Sequence, residues 1–418
     1  MLGTARLRVR AVRQADGSER SAAAPRSESH RHIPALDGIR GTAILLVLLY
    51  HFANSLALLG IRSPLLAAFQ FGWCGVDVFF ALSGFLITGI LLDTRSSPHY
   101  FKSFYARRVL RIFPLYYGAL LAVWLLRGAF SDAGVWGDHN VVGAPGSLIW
   151  PAFFLQNAAI MIRGADATGI LAHFWSLAVE EHFYLLWPLL VWLAPKRWVI
   201  GFALIAIAAS VAGRALVVHR GIGIDAVFGI TPLRADGLAI GALAATLLRT
   251  HSVKAMARAA TAILVAASAL LVALFWLHPG AYQSDPAVWL AGYPLVATCT
   301  AAALILSTAG GRLAWLFSAP LLRWFGKYSF GLYVWHPIVG MLLFHSRLAV
   351  VPAGAPATTI LLIAALVFAL NLVIAWTSFH LWEERFLKLK RLVPARAKPA
   401  PPVWEAAVLS PGSGTVAP

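Results

Sequence analysis

Arg40 and His51 stand with ten residues between them in an apolar run that opens with Leu36-Asp37-Gly38-Ile39-Arg40-Gly41. On a helix, eleven steps of about 1.5 Å and 100° put them about 16 Å apart along the axis and close to one face. An imidazole, with an ordinary pKa of about 6.5, is suited to take a proton from a hydroxyl. A guanidinium one leaflet away is suited to grip an anion. The same spacing also fits a core histidine bonded to a neighbouring helix, so the pair alone leaves both readings open.

Six further blocks carry chemistry. In Tyr105-Ala106-Arg107-Arg108-Val109-Leu110-Arg111, the pairs 107/111 and 108/111 share a helix face. Guanidinium forks match phosphate oxygens two at a time, although basic residues at a helix end also serve as plain membrane anchors. In His173-Phe174-Trp175-Ser176-Leu177-Ala178-Val179-Glu180-Glu181-His182-Phe183-Tyr184, two adjacent carboxylates point to different faces, so only one need line a cavity. Neighbours in sequence do not flank one bond from both sides, which argues against a glycosidase pair. Asp77, in the glycine-rich stretch Gly75–Thr88, is placed to orient a histidine or to bind a sugar hydroxyl. Arg234 and Asp236, His336 before Pro337, and Glu383 complete the set. An ionisable side chain in a span costs at least about 2.5 kcal/mol on insertion scales, so each is a site candidate, with interhelical pairing as the bland alternative.

The elements that hold these residues follow from composition. The chain has 418 residues, 60% hydrophobic and only 12% charged, against about 25% charged in soluble domains. That leaves too little polar surface for a water-soluble body. An all-α, polytopic membrane bundle of ten transmembrane helices is predicted, at 39–59, 72–92, 109–126, 174–194, 198–218, 227–248, 257–277, 288–308, 329–345 and 358–381. A shorter stretch, 147–162, contains Pro151, Gln156 and Asn157 and reads as interfacial or re-entrant. Counting it as a span would invert everything after it and put the basic clusters outside. With ten spans, the residues around Arg107, Lys196, Arg258, Lys327 and Lys388 fall on one side, so both termini are expected in the cytoplasm.

Residues 1–33 read as a disordered basic arm without a signal-peptide core, 34–390 as the membrane domain, and 391–418 as a disordered tail. The net charge of +17 follows from the basic inner loops, so no nucleic-acid partner is expected. The two cysteines form no CxxC, no His/Cys cluster has metal-ligand spacing, and no nucleotide loop is present. No metal and no permanently bound cofactor is expected.

Taken in order from Pro34 to about Leu389, these blocks resemble the acyltransferase-3 family of membrane O-acyltransferases. The opening with Arg40 and His51 resembles its Arg-x10-His signature. The Gly75–Thr88, Arg107/Arg108/Arg111, Trp175–Tyr184, Arg234/Asp236, Tyr-x-Trp-His and Glu383 blocks also match. The resemblance implies transfer of an acyl group, acetyl being the expected one, from cytoplasmic acyl-CoA as co-substrate to a hydroxyl of a carbohydrate-containing acceptor. It implies His51 as base or transient acyl carrier, with Glu180, Glu181 and His336 beside it in the catalytic set. Arg40, Arg107, Arg108 and Arg111 would contact the donor, and Asp77, Arg234, Asp236 and Glu383 the acceptor. His182 stands where the family has Gln, and Arg385 where it has Pro. No esterase-like domain follows the last span, so any partner enzyme is expected to be a separate chain. The GC-rich character of the composition fits a bacterial plasma membrane. The competing reading is a transporter or lipid-linked-sugar flippase without a covalent step; such proteins tend to carry inverted repeats, and no internal symmetry is evident.

Overall fold

The computed structural model describes residues 33–130, 148–278, 283–344 and 355–394, and every regular element among them is helical. The basic arm expected over 1–33 and the tail expected over 391–418 lie almost wholly outside the described residues.

Ten helices coincide in position with the ten expected spans. They are α1 (Pro34–Leu58), α3 (Gly75–Asp93), α4 (Tyr100–Phe130), α7 (Trp175–Leu193), α8 (Lys196–His219), α10 (Ala235–Leu247), α11 (Val253–Leu277), α12 (Tyr293–Ala309), α14 (Pro320–Phe344) and α15 (Ala357–Ser378). Seven helical stretches among the described residues are long and apolar enough to cross a membrane, built on α1, α3, α4, α8, α11, α12 and α15. The remaining three depart for identifiable reasons. Helix α7 carries Glu180, Glu181 and His182, α14 extends back through Lys327 and Arg323, and α10 is only 13 residues long.

The 227–248 segment is therefore not the single continuous helix its hydropathy predicts. A short α9 (Ile224–Gly229) ends at Ile230, a 3-10 turn runs Thr231–Arg234, and α10 starts after it. Pro232 has no N–H for a helical ladder, and the carbonyl it leaves in place accepts from Ser210 Oγ at 2.5 Å. The 147–162 stretch forms two pieces, α5 (Ile149–Ala152) and α6 (Gln156–Arg163), of 4 and 8 residues. Neither has the length of a span. Phe154 between them sits at φ +57, an unusual conformation for a bulky residue. The buried amides beside it are tied to distant carbonyls, Gln156 Nε2 to Phe174 at 2.7 Å and Asn157 Nδ2 to Phe228 at 3.1 Å.

Helices α1 and α3 lie at the centre and α11 at the periphery: 67% of the span ending in α3 is buried, but only 11% of that in α11. The outer faces of α8, α11 and α15 present Ile205, Val265, Leu270, Leu362 and Leu366, an apolar surface of the kind that lipid covers. In a bilayer, close packing depends on small residues rather than on hydrophobic exclusion. Helices α3 and α10 meet at Gly84 and Gly241, where an added Cβ would overlap the backbone carbonyls of Leu238 and Ala81.

Candidate active site

A cavity of about 880 Å³ of atom-free space, open solvent at its mouth included, lies between α1, α3, α4, α7 and α14. Three guanidinium groups line it, Arg40 from α1 and Arg108 and Arg111 from α4. Arg40 is steadied by Asp37 at 3.1 Å, one helical turn back. Arg108 lies over the Tyr184 ring at 4.7 Å. Tyr184 donates to Glu180 Oε2 at 2.8 Å, and the Ser83 hydroxyl pairs with the Tyr184 oxygen. Glu181 also lines the cavity, and its buried Oε1 has no hydrogen-bond partner among the described residues. Both adjacent glutamates therefore border the same space, although they leave the helix in different directions. The sequence required only one of them there.

Ser176 and Tyr333, joined hydroxyl to hydroxyl at 2.6 Å, also line the cavity. His336 stands one turn beyond Tyr333 on α14, and His173 lies in the 3-10 stretch Ala165–Phe174 that leads into α7. The rings of His336 and His51 lie 4.8 Å apart, and those of His336 and His173 5.7 Å. His51 is exposed, but the residues sharing its face of α1, namely Ile44, Val47 and Leu48, are buried in the core. Its ring meets His336 of α14, so the side chain is directed at a neighbouring helix. None of the three histidines lines the 880 Å³ cavity. The sequence placed Arg40 and His51 along one passage; in the structure Tyr333 borders the arginine-lined cavity and stands 5.8 Å, ring to ring, from His336, which in turn meets His51.

Pro337 sets the state of His336. Lacking an N–H, it leaves the carbonyl of Tyr333 without its helical donor. His336 Nδ1 supplies the hydrogen bond at 2.9 Å and also reaches the Leu332 carbonyl at 3.0 Å. A carbonyl only accepts, so Nδ1 carries the hydrogen and Nε2 is left as a bare lone pair. That Nε2 is buried and has no hydrogen-bond partner among the described residues, beside His51.

Other candidate residues are placed elsewhere. Arg107 does not line the cavity; it donates to the carbonyls of Val393 and Pro394 at 3.3 and 3.4 Å and to Ser103. Asp77 meets Arg234 at 2.8 Å, and Asp236 takes a two-point bond from Arg214 at 3.0 and 2.6 Å. All four are buried, and none borders the cavity. The Arg234 guanidinium also lies 3.6 Å from the centre of the Tyr293 ring. Glu383, in a π-turn at the end of α15, is buried with Oε1 unpartnered and interacts electrostatically with Arg111. His182 pairs with Thr231 at 2.9 Å.

Sequence reasoning singled out neither Arg214 nor the roles of Ser83, Ser176, Tyr184, Tyr333 and His173. Arg214 had a usable signal, a lone arginine inside an apolar span. The hydroxyls had none, because Ser and Tyr are ordinary residues in such helices.

The family model described as an acyltransferase domain, acyltransferase 3, matches residues 33–379. The peptidoglycan O-acetyltransferase OatA of Listeria monocytogenes is 31% identical over 333 residues, covering 74% of this chain and 50% of that protein. A putative peptidoglycan O-acetyltransferase, YrhL of Bacillus subtilis, is 28% identical over 341 residues, covering 75% and 50%. A putative O-acetyltransferase of Staphylococcus aureus is 28% identical over 329 residues, covering 73% and 50%. The chain thus spans about half the length of these curated relatives. No solved structure matches it.

Proposed function

The chain belongs to the acyltransferase-3 family, and from that premise we propose that it is a bacterial plasma-membrane enzyme moving an acetyl group from cytoplasmic acetyl-CoA to a hydroxyl of a cell-envelope saccharide. In this reading ten helices cross the bilayer, both termini are cytoplasmic, and the Arg40 end of α1 faces the cytoplasm. The basic loops beside α4, α8, α11, α14 and α15 support that orientation. The printed names of the relatives support a saccharide acceptor, and their sources, Listeria, Staphylococcus and Bacillus, support a bacterial membrane.

The observation that carries the reading is one cavity with three arginines on its wall and with Tyr333 in its lining, whose ring stands 5.8 Å from His336 of a histidine cluster. Arg40, Arg108 and Arg111 hold the phosphates of the donor through two-point, charge-assisted bonds. The thioester then reaches toward Tyr333. An acceptor hydroxyl arrives beside His51 and His336, and His51 takes its proton as oxygen attacks the thioester carbon. The new C–O bond forms, the C–S bond breaks, and the proton passes on to the leaving thiolate, giving ester and free CoA. His336, with Nδ1 tied to backbone and Nε2 bare, orients His51 or accepts a hydrogen from the arriving hydroxyl. Away from water these charges act at short range in a low dielectric, where preorganised groups count most.

The test is transfer of labelled acetyl from acetyl-CoA to soluble peptidoglycan fragments by the protein in liposomes, read as alkali-labile ester. Label in ester supports the proposal. Absence of ester, with no thermal stabilisation by acetyl-CoA, favours the transporter reading.

The arginines separate into two classes. A hydrogen bond to a charged group contributes about 1.5–3 kcal/mol, and about 1.4 kcal/mol is tenfold. Arg111→Ala is expected to raise the KM for acetyl-CoA about tenfold or more, while Arg107→Ala, outside the cavity, stays within about twofold. Equal effects of the two in steady-state kinetics would contradict the placement.

A further inference from the structure

The three arginines of the cavity wall are held in different ways. Arg40 is paired with Asp37 at 3.1 Å, and Arg111 is attracted by the buried Glu383 carboxylate. Among the described residues Arg108 makes no hydrogen bond and no ion pair. What holds it is aromatic: its guanidinium carbon lies 4.7 Å from the centre of the Tyr184 ring and 6.0 Å from that of Phe104. The nearer distance is well inside cation–π range. A guanidinium has five N–H donors, and the face of a ring engages its charge without using any of them.

The Tyr184 ring is itself pinned. Glu180 and Tyr184 are four residues apart on α7, so they share a face of that helix, and the phenol donates to Glu180 Oε2 at 2.8 Å. A phenol has one hydrogen to give, so in its contact with Ser83 of α3 the serine is the donor. Tyr184 is buried. Two helices therefore fix the ring, while Arg108 reaches it from a third, α4. Ser83, Arg108, Glu180 and Tyr184 all line the cavity. The carboxylate that holds the phenol also attracts Arg108 and Arg40, so charge and hydrogen bonding draw the group together.

We propose that Tyr184 is a positioning residue of the donor site: its ring, pinned by Glu180 and Ser83, presents the Arg108 guanidinium to the cavity with its N–H donors open to a phosphate. The inference rests on the acyl-transfer reading above and adds to it the residue that prepares an arginine for the donor. Glu180, which the family resemblance puts in the catalytic set, acts in this arrangement through Tyr184. An arginine tied to a carboxylate gives up hydrogen bonds before it takes a phosphate, whereas one resting on a ring has none to exchange. Such preorganisation raises affinity by lowering the cost of ordering the site. Its effect belongs to donor binding and not to the chemical step.

The experiment measures binding of labelled CoA, together with kcat and KM for acetyl-CoA with soluble peptidoglycan fragments, using the full chain in liposomes. Tyr184→Leu removes the ring and is expected to weaken CoA binding and raise KM about tenfold, with kcat within about twofold. Tyr184→Phe keeps the ring and loses its two hydroxyl bonds, and its CoA affinity is expected to fall between those of the wild type and Tyr184→Leu. In an Arg108→Ala background either substitution should change CoA affinity by less than about twofold, because residues acting as one unit do not add. If Tyr184→Leu does not accumulate as a monodisperse protein, Tyr184→Phe with and without Arg108→Ala decides the matter. Wild-type CoA affinity in the deciding variant, or a loss that multiplies with that of Arg108→Ala, overturns the positioning role while leaving acyl transfer intact. A wild type that neither binds CoA nor transfers acetyl overturns the acyl-transfer reading itself, and the role of Tyr184 with it.

Discussion

His51→Ala is expected to lower acetyl transfer by about a thousandfold while leaving the KM for acetyl-CoA nearly unchanged. A positioned general base contributes about 10²–10⁴-fold, and His51 is the imidazole in the cluster that the helix geometry aligns with Arg40. The donor KM should hold because Arg40, Arg108 and Arg111 line a cavity in which His51 takes no part. His51 meets the rings of Tyr50 and His336 but keeps an exposed surface, so truncation leaves little void and the fold should persist. The measurement is kcat and KM on purified protein whose size-exclusion profile matches the wild type. A folded variant with wild-type turnover would remove His51 from the mechanism. His336, whose Nε2 is already bare, would then be the base to examine.

Arg234→Leu should cost about 3–5 kcal/mol of stability, because it leaves the Asp77 carboxylate buried without its partner. The pair is 1% and 3% exposed at the side chain, so water does not reach the orphaned charge. The double variant Asp77→Leu with Arg234→Leu should recover much of that loss, since replacing both members of a buried pair by apolar groups is often close to neutral. Thermal unfolding in detergent of the single and double variants gives the comparison. Equal destabilisation in both would mean that packing around Tyr293, rather than charge pairing, dominates. The same double variant bears on the acceptor role assigned to these residues by family resemblance. Normal acceptor saturation in a folded double variant would make Asp77 and Arg234 purely structural.

How much of this was legible in advance varies with the distance over which each feature is decided. The alignment of Arg40 with His51 and the positions of the apolar helices depend on helical period and on runs of about twenty residues, both local properties. The break inside 227–248 was marked by Pro232, but an average over a whole span hides a single proline. The 147–162 stretch was recognisable as something other than a span from Pro151, Gln156 and Asn157. The arginine block was legible as a group, whereas its division into Arg108 and Arg111 inside the cavity and Arg107 outside was not. That division depends on which backbone lies against α4, and Val393 and Pro394 come from the far end of the described chain.

By itself, then, the amino-acid sequence determined an all-helical, lipid-compatible chain, its family, and the presence of an imidazole above a basic helix end. Those follow from residue type, spacing and hydropathy, which need no knowledge of neighbours. Only the tertiary structure decided that Asp77 faces Arg234, that Arg214 faces Asp236, that both glutamates border one cavity, and that Tyr333 joins its lining to the rings of His173 and His336. Each of these is a contact between residues far apart in sequence. In helices with nearly uniform apolar surfaces, the small residues and buried charges that choose the neighbours act only when the helices are already side by side.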